Sequence, residues 1–371
     1  MGDDAKNIPF RRGPAPLPVH VGLALAEYAN VQHESDIPQQ QLEQMLAGIR
    51  KYQEHPHRRN MPPLPVVWQQ GEVSIFHAKA ERPVAAVLLV PSLINKSFIL
   101  DLLPGKSFVR WLAEQGIDTY LLDWGTPVSD PGLADIDALV SQRLGPAIAD
   151  MAARTGGRIH ALGYCMGGTI LAAAALNNSE YLRGAVFLAS PWDFAAGDRK
   201  LAGQVMAGTP SALQMAGQNG YLPMEWIQSV FAAVNAGRAL RKFSEFAELE
   251  DDSAEARLFV SVEDWLNDGV DMPEDLARTC IVEWYGENRP GRGIWEVGGK
   301  VMELAALNIP ALVVASLNDR LVPKESSLAM AGLIRNATVI EPDSGHIGMM
   351  TGGGAEEKVW KPVAKWIKES S

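Results

Sequence analysis

Six short apolar runs, spaced so that most gaps leave room for a helix, constrain this chain more than any other feature. They are Val84–Val90, Thr119–Leu122, Ile159–Leu162, Gly184–Ala189, Ala311–Ala315 and Ala337–Ile340. Each is too short for a buried helix and far below the roughly 20 residues that cross a bilayer. Helical patterns separate several of them: Lys106–Gln115, Ala134–Thr155, Thr169–Leu176 and Glu325–Leu333, with Lys358–Ile367 closing the chain. Strands alternating with helices of this length predict a mostly parallel sheet covered by helices on both faces. Each helix is long enough for a right-handed crossover.

The alternation lapses in two places. Residues 1–70 are Pro-rich and bracket one amphipathic helix, Gln39–Tyr52, with Leu42, Met45, Leu46 and Ile49 along one face. Between 191 and 300 the sequence is helical or irregular and carries Trp192, Trp226, Trp265, Trp284 and Trp295. The expected organisation is therefore an extension at 1–70, a core at 71–190 and 301–371, and a cap (lid) subdomain at 191–300. The 371 residues suit one core of about 250 plus such additions. A net charge of −11 opposes broad binding to a phosphate backbone, so no nucleic-acid partner is expected. His55-Pro56-His57-Arg58-Arg59 reads as a solvated connector, because two histidines on a Pro-rich loop lack further metal ligands nearby. No metal or cofactor is expected. The N-terminal MGDDAKNIPF has early acids and no apolar h-region, so no secretory signal is expected there. Lys6, where Ser or Thr would be needed, weakens a myristoylation reading of Met1-Gly2. Two cysteines without a C-x-x-C motif fit a reduced, cytoplasmic setting.

The sharpest local signal is Gly163-Tyr-Cys165-Met-Gly167-Gly168, between a buried strand and a helix of small residues. A tight strand–nucleophile–helix turn needs glycines on both sides, since side chains there would collide with neighbouring backbone. Such a turn lifts the thiol off the sheet and points the Met166 N–H at the same place, while the helix N-terminus stabilises negative charge on sulfur. Alone, the box also fits a buried cysteine in a Gly-rich turn. A base and an acid follow, however, each just after a later strand: Asp319 in Ser316-Leu-Asn-Asp-Arg-Leu-Val-Pro323, and His346 in Asp343-Ser-Gly-His-Ile-Gly348. Nucleophile, acid, histidine is the chain order of α/β-hydrolase triads. His20, His33, His55 and His57 precede the sheet, and His77 and His160 sit at the wrong edge. Asp343 is a rival acid only three residues before His346, and Asp319 is preferred. Asp101 and Asp123 come too early and read as capping or strand-end groups. A second oxyanion donor is expected from the loop after Val90, at the N–H of Leu93 or Ile94. Cys280 reads as a core thiol.

With these residues in view, the sequence resembles the polyhydroxyalkanoate synthases, most nearly the catalytic subunit of the short, two-component class III type. The resemblance rests on Ile94-Asn-Lys-Ser-Phe-Ile-Leu-Asp101, Val109-Arg-Trp-Leu112, Leu122-Asp-Trp-Gly125, the Cys165 box, Glu263-Asp-Trp265, Asp319-Arg-Leu-Val-Pro323 and Gly345-His-Ile-Gly348. It spans about 84 to 370 and is weaker before 70 and over 200 to 257. It implies an α/β-hydrolase fold with a cap, Cys165 as the acylated nucleophile, His346 as base and Asp319 as its partner. It implies (R)-3-hydroxyacyl-CoA as substrate, CoA and a polyester as products, and a cytoplasmic place at the surface of polyester granules. A homodimer or an accessory synthase subunit stays open. So do two other functions: a Cys-dependent thioesterase or polyester depolymerase, and a non-catalytic granule-associated protein.

Overall fold

The computed structural model describes residues 10–31, 37–234 and 236–370; residues 1–9, with Lys6, and His33 lie outside the described residues. The chain divides into two compact units, one of residues 1–60 and 225–268, the other of 61–224 and 269–371.

The larger unit holds an eight-stranded sheet: β1 Val66–Gln70, β2 Val73–Ala78, β3 Ala85–Val90, β4 Ile117–Asp123, β5 Ile159–Tyr164, β6 Leu182–Leu188, β7 Ala311–Val314 and β8 Ala337–Ile340. Their order across the sheet is β1-β2-β4-β3-β5-β6-β7-β8. β2 runs antiparallel to β1 and β4, and all the other pairs are parallel. The expected mostly parallel sheet is therefore present. The β1–β2 hairpin adds to it; it turns at Gly71, whose φ of 59° is left-handed. β5 and β7 are buried along their whole length, which is why β7 reads as a continuous apolar run and β5 as one interrupted only by His160, rather than as alternating strands.

The stretch expected as one helix over 134–155 is broken. Asp135 caps a short turn by accepting from the Ala138 N–H at 2.7 Å. A π-helical turn, Leu139–Leu144, then leads into the helix Gly145–Arg154. Pro146 has no N–H to donate to the Gln142 carbonyl, so the regular ladder cannot run through this point.

The smaller unit contains helices Leu17–Val31, Ile37–Glu54, Ala236–Ala247 and Ala254–Asn267. The first corrects the expectation of a single N-terminal helix. Its prolines, Pro14, Pro16 and Pro18, lie before or within the first turn, where the missing N–H costs nothing. The core of this unit includes Met45, Ile49, Tyr52, Phe243, Phe246 and Val260. Gly48 permits a close crossing, since a Cβ there would lie 1.9 Å from the Phe243 carbonyl oxygen. The His55–Arg59 stretch is not a solvated connector. His55 is buried, its Nε2 lies 3.0 Å from the Asp251 carbonyl oxygen, and His57 Nε2 lies 2.9 Å from Ser261 Oγ. Arg11 pairs with Asp264 at 2.6 Å beside them. Among the described residues no group of His, Cys, Asp and Glu is arranged to hold a metal ion, and no helix is long and apolar enough to cross a membrane.

Candidate active site

β5 ends at Tyr164, and the backbone reverses at Cys165 with φ 56° and ψ −129° before the helix Met166–Asn177 begins. This is a region that residues with a Cβ seldom occupy, so the turn is strained. It is held on both sides. The Cys165 N–H donates to the Leu188 carbonyl at the end of β6 (2.9 Å), and the Gly168 N–H donates to the Cys165 carbonyl (2.9 Å). The glycines are required by contact: a Cβ at Gly163 would lie 2.3 Å from Gly168 Cα, and one at Gly168 would lie 1.7 Å from Ser190 Oγ. A Cβ at Gly167 would lie 2.3 Å from the Val90 carbonyl oxygen. The helix start is thus pressed against the end of β3. The thiol of Cys165 is free and half-buried.

Asp319 and His346 sit on the loops after β7 and β8. His346 Nδ1 is 2.6 Å from Asp319 Oδ2, and both side chains are almost fully covered. The other carboxylate oxygen of Asp319 accepts from the N–H groups of Leu321 (2.8 Å) and Val322 (2.9 Å), which fixes the carboxyl plane. Ser316 Oγ bonds to the carbonyls of Pro342 and Ser344, tying the two loops together. The Tyr164 ring stacks on the His346 ring with centroids 5.2 Å apart, and its hydroxyl donates to the His346 carbonyl at 3.2 Å. Burial by itself disfavours a charged imidazole here. The Asp319 and Cys165 charges, with hydrogen bonds from the ring to both groups, outweigh burial and hold His346 well above its ordinary pKa. The fold therefore pairs His346 with Asp319 and sets the ring within electrostatic reach of Cys165.

The rival acid points elsewhere. Asp343 is exposed and is engaged by the Asn318 amide and by Lys358. Asp101 instead receives Ser107 and Arg110, and Asp123 receives Ser97 and the Gly125 N–H. Cys280 is buried in a π-helical turn, Thr279–Gly286, and burial pushes its thiol up.

Met166 is the first residue of its helix, where the N–H has no acceptor within the helix. The loop after β3 passes beside it, since Gly167 also leaves no room for a Cβ against the Pro91 carbonyl, 2.4 Å away. In that loop the Ile94 N–H is 3.3 Å from Ser92 Oγ, and the Ile94 carbonyl accepts from Val270 at 3.0 Å. Leu93 is buried. Sequence reasoning passes over Ser190, Tyr164 and Tyr285. Tyr164 is visible as the residue before the nucleophile, but nothing in the sequence says that it stacks on a histidine 182 residues away.

Residues 86–353 match the alpha/beta hydrolase fold family. Among curated proteins, the poly(3-hydroxyalkanoate) polymerase subunit PhaC of Haloferax mediterranei is 28% identical over 83% of this chain, which spans 64% of that protein's length. Its namesakes in Allochromatium vinosum and Synechocystis sp. are each 25% identical. The first alignment covers 83% of this chain and 88% of the relative, the second 88% and 90%. Among solved structures, a thermophilic esterase from Thermogutta terrifontis is 17% identical over 85% of this chain and 99% of that chain, with a TM-score of 0.51. MenH from S. aureus is 13% identical over 80% and 98%, also at 0.51. These two likenesses bear on the fold alone.

Proposed function

The chain belongs to the α/β-hydrolase fold family, and from that premise we propose that it is a polyhydroxyalkanoate synthase-like acyltransferase working through a Cys165–His346–Asp319 triad. The single observation that carries this reading is a cysteine, not a serine, at the strained turn, in a fold whose later loops pair His346 with Asp319 at 2.6 Å. The names of the relatives support the substrate class.

A thiol nucleophile suits a thioester substrate. The Cys165 thiolate attacks the hydroxyacyl-CoA carbonyl, the C–S bond to CoA breaks, and the departing CoA sulfur takes the proton His346 holds. The acyl group passes between two sulfurs at nearly equal energy. His346 then takes the proton of a second unit's 3-hydroxyl as its oxygen attacks the acyl-Cys165 carbonyl. An ester bond forms, and the proton returns to the Cys165 sulfur. Asp319 holds the imidazole with its proton on Nδ1 and stabilises the cation, consistent with the raised His346 pKa. The Met166 N–H and the Leu93 or Ile94 N–H serve the oxyanion; with Ile94 N–H already turned to Ser92, Leu93 is the better second donor.

The test is mass spectrometry of protein quenched in acid after mixing with 3-hydroxybutyryl-CoA. The reading requires added hydroxyacyl mass on the Cys165 peptide and none on the Cys280 peptide. An unmodified Cys165 alongside steady CoA release would remove the covalent route.

A further inference from the structure

A chain of aromatic rings lies within the sheet-bearing unit. Tyr285 and Phe194 have centroids 5.0 Å apart, Phe194 and Trp284 5.6 Å, Trp284 and Trp295 5.4 Å, and Trp295 and Trp192 5.7 Å. The cluster is anchored beside the nucleophile turn. Ser190, whose oxygen abuts Gly168, precedes Trp192 by two residues, and the Pro191 carbonyl between them accepts from Thr169 on the nucleophile helix. Asn288 joins the two strips of chain that carry the rings, accepting from the Phe194 N–H at 2.9 Å and donating to Asp193 at 2.8 Å.

Three of these rings carry a donor with nothing to bond. Trp192, Trp284 and Trp295 are 1%, 2% and 1% exposed, and none of their indole N–H groups meets an acceptor among the described residues. Other buried indoles of the same unit do find one: Trp124 donates to the Pro91 carbonyl at 3.0 Å and Trp360 to the Met349 carbonyl at 3.1 Å. Buried donors without partners destabilise a fold, and three in one ring cluster beside a nucleophile call for a ligand that supplies acceptors. Indole offers an apolar face and a donor, and accepts nothing. The complementary ligand is therefore a hydrocarbon chain with carbonyl oxygens at intervals and no donors of its own. A polyester of hydroxy acids has that composition along its whole length, whereas a plain fatty acyl chain would leave the three donors unmet.

We propose that Trp192, Trp284 and Trp295 form a subsite for the ester chain carried by Cys165, their faces holding its hydrocarbon and their N–H groups donating to its carbonyl oxygens. This rests on the polyester reading above and adds where the chain lies. Seating it parts the ring contacts, so the empty subsite is closed and the filled one open.

The test uses full-length Cys165→Ala protein, which holds an ester chain without turning it over. Its indole ¹H–¹⁵N resonances are followed while the linear trimer of 3-hydroxybutyrate is added. A parallel titration uses dodecanoate, an alkyl acid of similar length without internal carbonyls. Trp192, Trp284 and Trp295, assigned by single Trp→Phe changes, should shift downfield with the trimer and not with dodecanoate. Each Trp→Phe change, which keeps a ring and removes the donor, should weaken trimer binding roughly fivefold. Trp111→Phe, at a ring packed on Trp360 elsewhere, should leave it unchanged. Unmoved resonances, equal shifts with dodecanoate, or exchange peaks showing a buried water that the trimer does not displace would overturn the proposal. Loss of binding through misfolding of a variant would leave the shifts in the Cys165→Ala parent to decide. The polyester reading fails separately: if the unaltered protein releases no CoA from 3-hydroxybutyryl-CoA while the trimer still shifts the three indoles, the subsite stands and the synthase assignment falls.

Discussion

Replacing Asp319 by Asn removes one charge and adds one N–H while keeping the shape of the side chain. In the native protein one carboxylate oxygen is occupied by the Leu321 and Val322 N–H groups at 2.8 and 2.9 Å, and the other faces His346 Nδ1 at 2.6 Å. The introduced amide can keep the two backbone donors only by giving them its oxygen. Its NH₂ then faces Nδ1, which must lose its proton to accept. The ring is left protonated on Nε2, the nitrogen that in the proposed triad takes the proton of Cys165, and the cation loses the carboxylate that raises its pKa. The corresponding change in a serine triad costs about 10⁴-fold, or about 5 kcal/mol in barrier, and the same geometry predicts a similar loss here. The assay is the initial rate of CoA release from 3-hydroxybutyryl-CoA, beside Asp343→Asn. Asp343 is exposed and bound to Asn318 and Lys358, so its change should cost less than about threefold. A loss below about tenfold for Asp319→Asn, or a greater one for Asp343→Asn, would refute the assignment of the acid.

Cys165→Gly should abolish turnover yet raise stability by about 1 kcal/mol, because glycine relieves a positive φ whose strain exceeds the extra freedom it gives the unfolded chain; urea unfolding reads this, and a less stable variant would show that the turn stores no strain. Gly168→Ala should destabilise by several kcal/mol, since its Cβ would lie 1.7 Å from Ser190 Oγ and 2.5 Å from Ser190 Cβ. Adding Ser190→Gly should recover much of that loss, and strictly additive effects would refute the clash. His160 is buried and held neutral, its pKa lowered to about 4 by burial. Below about pH 6.5 the unfolded chain takes up a proton there that the folded chain refuses until about pH 4. This contribution to stability is therefore complete above about pH 6.5 and falls by about 3 kcal/mol as pH drops to about 4. Unfolding of His160→Gln between about pH 7 and about pH 4.5 should show a shallower decline than the parent, and parallel declines would contradict the shift.

Strand positions are legible because parallel strands buried on both faces must be largely apolar, as β7 is throughout and β5 is apart from His160. β1 and β2 are not, because they are partly exposed and follow directly on a Pro-rich stretch, so no run marks them. The nucleophile turn is readable from Gly163, Gly167 and Gly168, since each is glycine for a contact that the motif itself implies. Asp319 and His346 are readable as candidates from their place after strands, with Asp319 preferred because Asp343 lies only three residues before His346, while the 2.6 Å contact between Asp319 and His346 is visible only in the fold. The association of residues 1–60 with 225–268 is not legible. It depends on Phe243 and Phe246 meeting Met45 and Tyr52 from distant parts of the chain, and neither stretch's periodicity names its partner. Nor can the sequence show that Trp192, Trp284 and Trp295 share one cluster, because each is separately an ordinary core residue.

One measurement bears most directly on the central claim: the fate of the hydroxyacyl group when purified protein is given 3-hydroxybutyryl-CoA. CoA release is followed with a thiol reagent while the acyl product is separated into free acid and chloroform-soluble polyester. The synthase account predicts that CoA release is matched by ester bonds in a lengthening chain, with free 3-hydroxybutyrate a minor product, and that Cys165→Ala stops both. CoA release matched instead by free 3-hydroxybutyrate, with no polyester at any time, would contradict it and make the chain a Cys-dependent hydrolase.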